Sequence, residues 1–257
     1  MFLAQLLYYI GALLSVPLLP VLYFQGKKLR KNFPRLPEPE HNVQGRTEEG
    51  VGAPIRILAL GESTIAGVGV QDHRHGFTGE LAAALSAHTG RPAEWQVVAR
   101  SGYDAKDVFR KLTPKIPDAP YDLIVIGLGG NDTFYLNSPL HFRHNMAHLV
   151  RHLRERMPDT PIVIAALPPI GVFPALPGLV RSALGALVHL HGFAIRNIPR
   201  RFANVHYPGG PIRARRWMDD IHSPEQFFSD GIHPSAEAYR LWAVETMRFI
   251  AGCGLKW

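Results

Sequence analysis

A single cysteine, Cys253, occurs among 257 residues. That excludes an intrachain disulfide framework and any cysteine-built zinc cluster, so stability must come from packing and hydrogen bonds. Acidic side chains are the scarcer charge, 21 Asp plus Glu against 28 Lys plus Arg, for a formal +7. This balance favours anionic partners such as a lipid headgroup surface, yet no nucleic-acid module accompanies it. Charge is absent altogether from Met1 to Phe24, and no internal repeat is visible. What is present, 46% hydrophobic and 19% charged residues, describes a globular chain able to bury a full core.

The uncharged stretch 1–24 is dominated by Leu, Ile, Val, Phe and Tyr. At 1.5 Å per residue it can cross about 30 Å of hydrocarbon, so it reads as a membrane anchor. Pro17 and Pro20 each remove a backbone donor and kink a helix, which keeps open a segment that dips into one leaflet and returns. A cleaved signal peptide wants positive charge before the apolar run, whereas Lys27, Lys28, Arg30 and Lys31 all follow it. The basic flank places the bulk of the chain on the cytoplasmic face, with an exported domain as the other reading. Residues 25–53, rich in Pro, Gly, Glu and basic side chains, read as a linker, and a folded domain is expected over 54–257.

Within that domain, strand and helix signals alternate. Ile55 to Leu60, Trp95 to Ala99, Leu123 to Leu128, Ile162 to Ala166 and Phe202 to His206 are short apolar runs. Between and after them, helical spacing puts Phe77, Leu81 and Leu85 on one face, then Val108 and Leu112, then Met146, Leu149, Val150, Leu153 and Met157. An amphipathic stretch from Ser235 to Ala251 closes the chain. The order predicts an α/β fold with a five-stranded parallel sheet covered by helices on both faces. Ligands of such sheets sit beyond the carboxyl ends of the strands.

The loops at those ends carry Gly61-Glu62-Ser63-Thr64, Arg100-Ser101-Gly102-Tyr103, Gly129-Gly130-Asn131-Asp132 and Asp230-Gly231-Ile232-His233-Pro234. Together they supply a hydroxyl nucleophile, a backbone amide donor, a side-chain amide donor and a carboxylate–imidazole pair, the inventory for acyl transfer. Singly each is weak. Gly-x-Ser arises by chance roughly once in a chain of this composition. Asp-x-x-His also occurs at Asp72/His75 and Asp219/His222, Gly102 could be a turn glycine, and Asn131 a helix cap. Their joint order favours catalysis.

From Ile55 to the C-terminus the four blocks resemble the SGNH or GDSL hydrolases, a family of esterases and lipases. The resemblance implies a three-layer, flavodoxin-like α/β/α sandwich. It also implies Ser63 as nucleophile, His233 as base with Asp230 as partner, and an oxyanion hole from Ser63, Gly102 and Asn131. No metal or organic cofactor is implied. The family's Gly-Asp-Ser-Leu is here Gly61-Glu62-Ser63-Thr64, so the extra methylene of Glu62 shifts the carboxylate that pins the nucleophile loop. Hydrolysis of an acyl ester, possibly a lipid, is the function implied. Acyl transfer to a sugar or lipid hydroxyl, or a catalytically silent membrane-tethered binding protein, are the alternatives.

Competing motifs fail. Ser63 is followed by Thr64-Ile65, not the x-Gly of an α/β-hydrolase elbow, and Gly127-Leu128-Gly129-Gly130 lacks the third glycine of a dinucleotide fingerprint. His144, His148 and His152 share a helix face but read as a solvated basic surface rather than a metal site. His73/His75 and His189/His191 are equally unsupported as ligands. Arg196, Arg200, Arg201, Arg213, Arg215 and Arg216 form a second basic concentration that could sit against anionic lipid. Thr133 to Leu136 and Leu167 to Val180 are apolar stretches at the catalytic edge, suited to lining an acyl cleft.

Overall fold

The computed structural model describes residues 2–32, 36–213, 224–255 and 257. The sheet is built from β1 (Gln44–Arg46), β2 (Ile55–Gly61), β3 (Ala93–Ala99), β4 (Leu123–Gly127), β5 (Ile162–Ile164) and β6 (Val205–His206), in the order β1-β3-β2-β4-β5-β6. Strands β2 to β6 are mutually parallel, as the alternating signals predict, and β1 joins the edge antiparallel to β3. This corrects the five-stranded expectation. The sixth strand comes from the stretch 25–53 expected as a linker, where Gly45 packs so closely on Trp95 that any Cβ would strike the indole. The Trp95 ring nitrogen donates to Asn42 O at 2.9 Å, fixing the edge strand in place.

Every residue of β2 except Arg56 is buried, and all of β4 is, which is what a strand covered on both faces requires. The helices are α1 (Phe2–Ser15), α2 (Leu19–Asn32), α3 (Phe77–Thr89), α4 (Ala105–Asp107), α5 (Gly130–Phe134), α6 (Pro139–Arg156), α7 (Gly178–Ile195) and α8 (Ala236–Gly252). Helix α3 packs on α8, while α6 packs on α4 and α7, so helical layers flank the sheet. Helix starts follow side-chain capping. Ser138 accepts from His141 N at 3.2 Å and Ser235 from Ala238 N at 3.4 Å, each satisfying an orphan amide. Helix α7, whose first residues lie in the stretch read as an apolar edge, buries Leu184, Leu187, Val188 and His191.

The uncharged N-terminus folds as α1 and α2, separated by a 3-10 turn, Val16–Leu18, that accommodates Pro17. Among the described residues, Phe2–Val21 and Gly178–Ile195 are long and apolar enough to cross a membrane by length and composition. The second is nearly half buried inside the fold. The first is almost wholly exposed.

Strand register decides where chemistry can assemble. Gly61 pairs with Ala99 on one side and Gly127 on the other, so β2, β3 and β4 end level. A Cβ at Gly61 would collide with Gly127 O and Ile65, so only glycine lets the chain turn so tightly here.

Candidate active site

The turn that carries Ser63 leaves β2 at Glu62, whose N–H donates to Gly127 O at 3.1 Å, and closes when Ile65 and Ala66 both donate to Glu62 O at 2.9 Å. Buried Tyr239 on α8 donates its hydroxyl to Val68 O at 2.7 Å, clamping the far end. Arg100 N donates to Gly61 O at 3.2 Å, bringing the Gly102 loop alongside. Gly102 sits at φ +81, a left-handed conformation that glycine adopts without penalty. Tyr135 donates its hydroxyl to Gly102 O at 2.7 Å.

Asn131 lies in α5, directly after β4. Its side-chain Nδ2 donates to Tyr103 O at 3.0 Å, which fixes the direction of the amide. Behind it, Glu62 Oε1 accepts from Gly130 N and Oε2 from Asn131 N, both at 2.7 Å. The longer side chain thus has a defined job: it ties the turn that carries Ser63 to the helix that carries Asn131. Burial pushes the Glu62 carboxyl up to about 8, against the pull of the two backbone amides. Asp132 points the other way, its carboxylate accepting from Ala105 N and Asn137 Nδ2 at 2.9 Å, and burial raises it to about 6.

Asp230 and His233 share one turn. His233 Nδ1 lies 2.7 Å from Asp230 Oδ2, while Asp230 Oδ1 accepts from Ile232 N at 2.9 Å and His233 N at 2.8 Å. The Asp230 side chain is 1% exposed. Burial alone would raise its carboxyl; the bonds from the His233 ring and from the two backbone amides outweigh it and hold Asp230 below the ordinary range. Ser229 donates to Gly69 O at 2.9 Å, and Ala175 N donates to Gly231 O at 3.2 Å. This turn is therefore bonded both to the segment that follows Ser63, at Gly69, and to the apolar loop after β5.

The result is convergence. Ser63, Gly102, Asn131 and His233 line a single cavity of about 580 Å³, with Asp230 buried behind His233. Its remaining walls are largely apolar, among them Phe134, Leu136, Pro169, Phe173, Leu176 and Val180. Both apolar stretches picked from the sequence thus reach the site. The Asp219/His222 pair lies outside the described residues, as do Arg215 and Arg216. Asp72 instead caps a 3-10 turn, accepting from Arg74 N at 2.7 Å.

The chain belongs to the GDSL-like lipase/acylhydrolase family. The family model matches residues 59–241, which include all four loops. A GDSL-like esterase of Mycobacterium tuberculosis is 29% identical over 195 residues, 74% of this chain. The match covers 59% of that relative's length. Among solved structures, the psychrotrophic esterase EstA from Pseudoalteromonas is similar with a TM-score of 0.53 and 19% identity, over 77% of this chain and 97% of its own. A lipase/acylhydrolase from Enterococcus faecalis reaches a TM-score of 0.56 at 18% identity, over 79% of this chain and 99% of its own. These likenesses bear out the SGNH-type fold.

Sequence reasoning missed two supporting residues. Glu62 stood out as a departure from the family motif, but its grip on two amides follows from the level ends of β2 and β4. His191, dismissed as a ligand, is buried on α7, its Nδ1 3.0 Å from Thr133 Oγ1 and its Nε2 donating to Asn137 O at 2.8 Å. Burial pushes the imidazole down to about 4, so it is neutral at pH 7 and braces α5 from behind. On the His144, His148 and His152 face, His144 and His148 lie ring to ring at 4.3 Å, and Phe109 contacts both His148 and His152. No cluster of three metal-binding side chains occurs among the described residues.

Proposed function

We propose that this chain is a serine-dependent carboxylic ester hydrolase that acts through an acyl-enzyme on a lipid or acylated amphiphile, held at a membrane by residues 1–24. The observation that carries the reading is the meeting of Ser63, Gly102, Asn131 and His233 around one apolar cavity. Ser63 Oγ attacks the ester carbonyl carbon, and its proton passes to His233 Nε2, the ring nitrogen that does not face Asp230. Asp230, ionised by its bonding, holds the tautomer and stabilises the imidazolium. The carbonyl oxygen takes the negative charge and accepts bonds from the Ser63 and Gly102 amides and from Asn131 Nδ2.

Collapse of this tetrahedral species breaks the ester C–O bond, and the departing alcohol takes the proton from His233. Water then attacks the Ser63 acyl ester by the same relay, releasing the carboxylic acid and restoring the Ser63 hydroxyl. The scheme needs no metal or organic cofactor. The catalytic unit is residues 54–257, with β1 added to its sheet edge. The basic run Lys27, Lys28, Arg30 and Lys31 supports a cytoplasmic location. An apolar cleft favours an acyl chain over a sugar acetate.

The test is hydrolysis of an aryl ester series of increasing acyl length by the full chain in detergent. Turnover should be abolished by Ser63→Ala and should tolerate medium-length acyl groups. Undiminished turnover by Ser63→Ala would overturn the nucleophile assignment.

A further inference from the structure

The N-terminal helices do not stand clear of the catalytic domain. Leu140 N, in the first turn of α6, donates to Gln5 Oε1 at 3.1 Å, and Tyr8 donates its hydroxyl to Leu136 O at 2.9 Å. Ala4 beside them is buried. Gln5 and Tyr8 are three residues apart, so they project from one face of α1, and both α1 and α2 run against α7. An amide in the first turn of a helix has no partner within that helix, so Gln5 fills a real vacancy.

The other face of α1 is bare hydrocarbon: Phe2 is 82% exposed, Leu13 72% and Leu14 70%. The domain adds its own exposed apolar groups beside it, Leu136 at 58% and Leu140, which touch Tyr8 and Gln5 through their backbones. Leu136 also lines the cavity that holds Ser63, as does Gly26 of α2. A helix packed lengthwise on the domain through two polar contacts is placed to lie along a bilayer surface rather than to pass through it. A crossing helix would have to give up both bonds and take Gln5 into hydrocarbon. Lys27, exposed on α2, and the formal +7 charge of the chain favour anionic headgroups.

We propose that α1 and the start of α2 form an in-plane membrane foot that seats the mouth of the cavity on the lipid surface, so that the ester enters from the leaflet and not from water. The inference rests on the hydrolase reading above and names where its substrate comes from. The occupant of the apolar face is a lipid bilayer with anionic headgroups.

The experiment uses the full chain with vesicles of phosphatidylcholine and phosphatidylglycerol carrying a long-chain fluorogenic ester, alongside a water-soluble short-chain aryl ester. In the double variant Leu13→Glu, Leu14→Glu, co-flotation with the vesicles should be lost, and the ratio of embedded-ester to soluble-ester turnover should fall at least about ten-fold. Tyr8→Phe, which keeps the apolar face and deletes the bond to Leu136, should still float with vesicles but lower that ratio. A double variant that floats and keeps the wild-type ratio overturns the foot. So does a Phe2→Cys, Cys253→Ser protein whose new thiol is labelled by an impermeant maleimide trapped inside the vesicles, on the side opposite the catalytic domain, since that marks a crossing helix. Failure of Ser63→Ala to stop soluble-ester turnover would instead overturn the hydrolase reading, leaving flotation unaffected.

Discussion

Glu62 holds Asn131 by its backbone. One carboxyl group accepts from Gly130 N and Asn131 N at 2.7 Å each, so it ties the turn that carries Ser63 to the helix that carries the Asn131 amide. Donors preorganised in this way stabilise a developing charge without having to rearrange at the moment of reaction.

This bridge makes the length of the side chain consequential. Glu62→Asp withdraws the carboxylate by one C–C bond, about 1.5 Å, too far to serve both amides. Glu62→Gln keeps one acceptor but sets an NH2 group against the other backbone N–H, leaving a buried donor unpaired at a cost of about 1–3 kcal/mol. Both variants should lower kcat by roughly ten-fold or more while changing KM little, as steady-state kinetics on a soluble ester would show. Wild-type kcat in both would mean that the bridge does not position the site.

Deleting the proposed oxyanion donor itself should cost more. Asn131→Ala is expected to reduce turnover by about 10² to 10³, judged from single-donor losses elsewhere. Gly102→Ala should also reduce kcat, but through the backbone. The nearest atom to an added Cβ is Tyr135 Oη at 3.8 Å, so the space is open and the penalty is the left-handed φ of +81. That conformation costs a non-glycine residue about 1–2 kcal/mol. Measured together, the two variants separate a lost donor from a displaced one.

Asp230→Asn tests the imidazole's orientation. An amide in place of the carboxylate presents a donor to Nδ1 and favours the wrong tautomer, an exchange that costs about 10⁴ in turnover in a comparable triad. A loss of less than about three-fold would place the pair outside the proton relay.

His191 predicts a stability effect on acidification. Its folded-state value of about 4 lies below the ordinary 6.5, so the unfolded chain binds the proton more readily. The contribution of the neutral ring is complete above about 6.5 and is lost as pH falls towards 4. Thermal unfolding should therefore show a larger drop in Tm between pH 7 and pH 4 for the wild type than for His191→Phe. The Glu62 carboxyl has the opposite sign: raised from 4.5 to about 8, it contributes stability that is full below 4.5 and lost as pH rises through 8. Glu62→Gln should flatten that alkaline decline.

Much of this was legible in the residues because local signals and fold agree. The apolar runs at Ile55 and Leu123 became central strands, and the segments after them became the turn that carries Ser63 and the short helix that carries Asn131. Strand β1 escaped because Gln44-Gly45-Arg46 has no apolar pattern; its pairing depends on Trp95, distant in sequence. Helix α7 was obscured by the run of Pro, Leu and Val that precedes it. The Glu62 bridge and the His191 brace are properties of register and packing between distant segments, which spacing along one chain does not encode. The docking of α1 is of the same kind, since Gln5 and Tyr8 look incidental until Leu136 and Leu140 stand opposite them.

The central claim, that Ser63 is a nucleophile activated by His233, meets its most direct test in covalent labelling of the folded full-length chain with a fluorophosphonate, followed by peptide mapping. The account predicts one phosphonylated residue, Ser63, with labelling abolished in Ser63→Ala and slowed by orders of magnitude in His233→Ala. A folded chain that takes no label, or carries it at another residue, would contradict it.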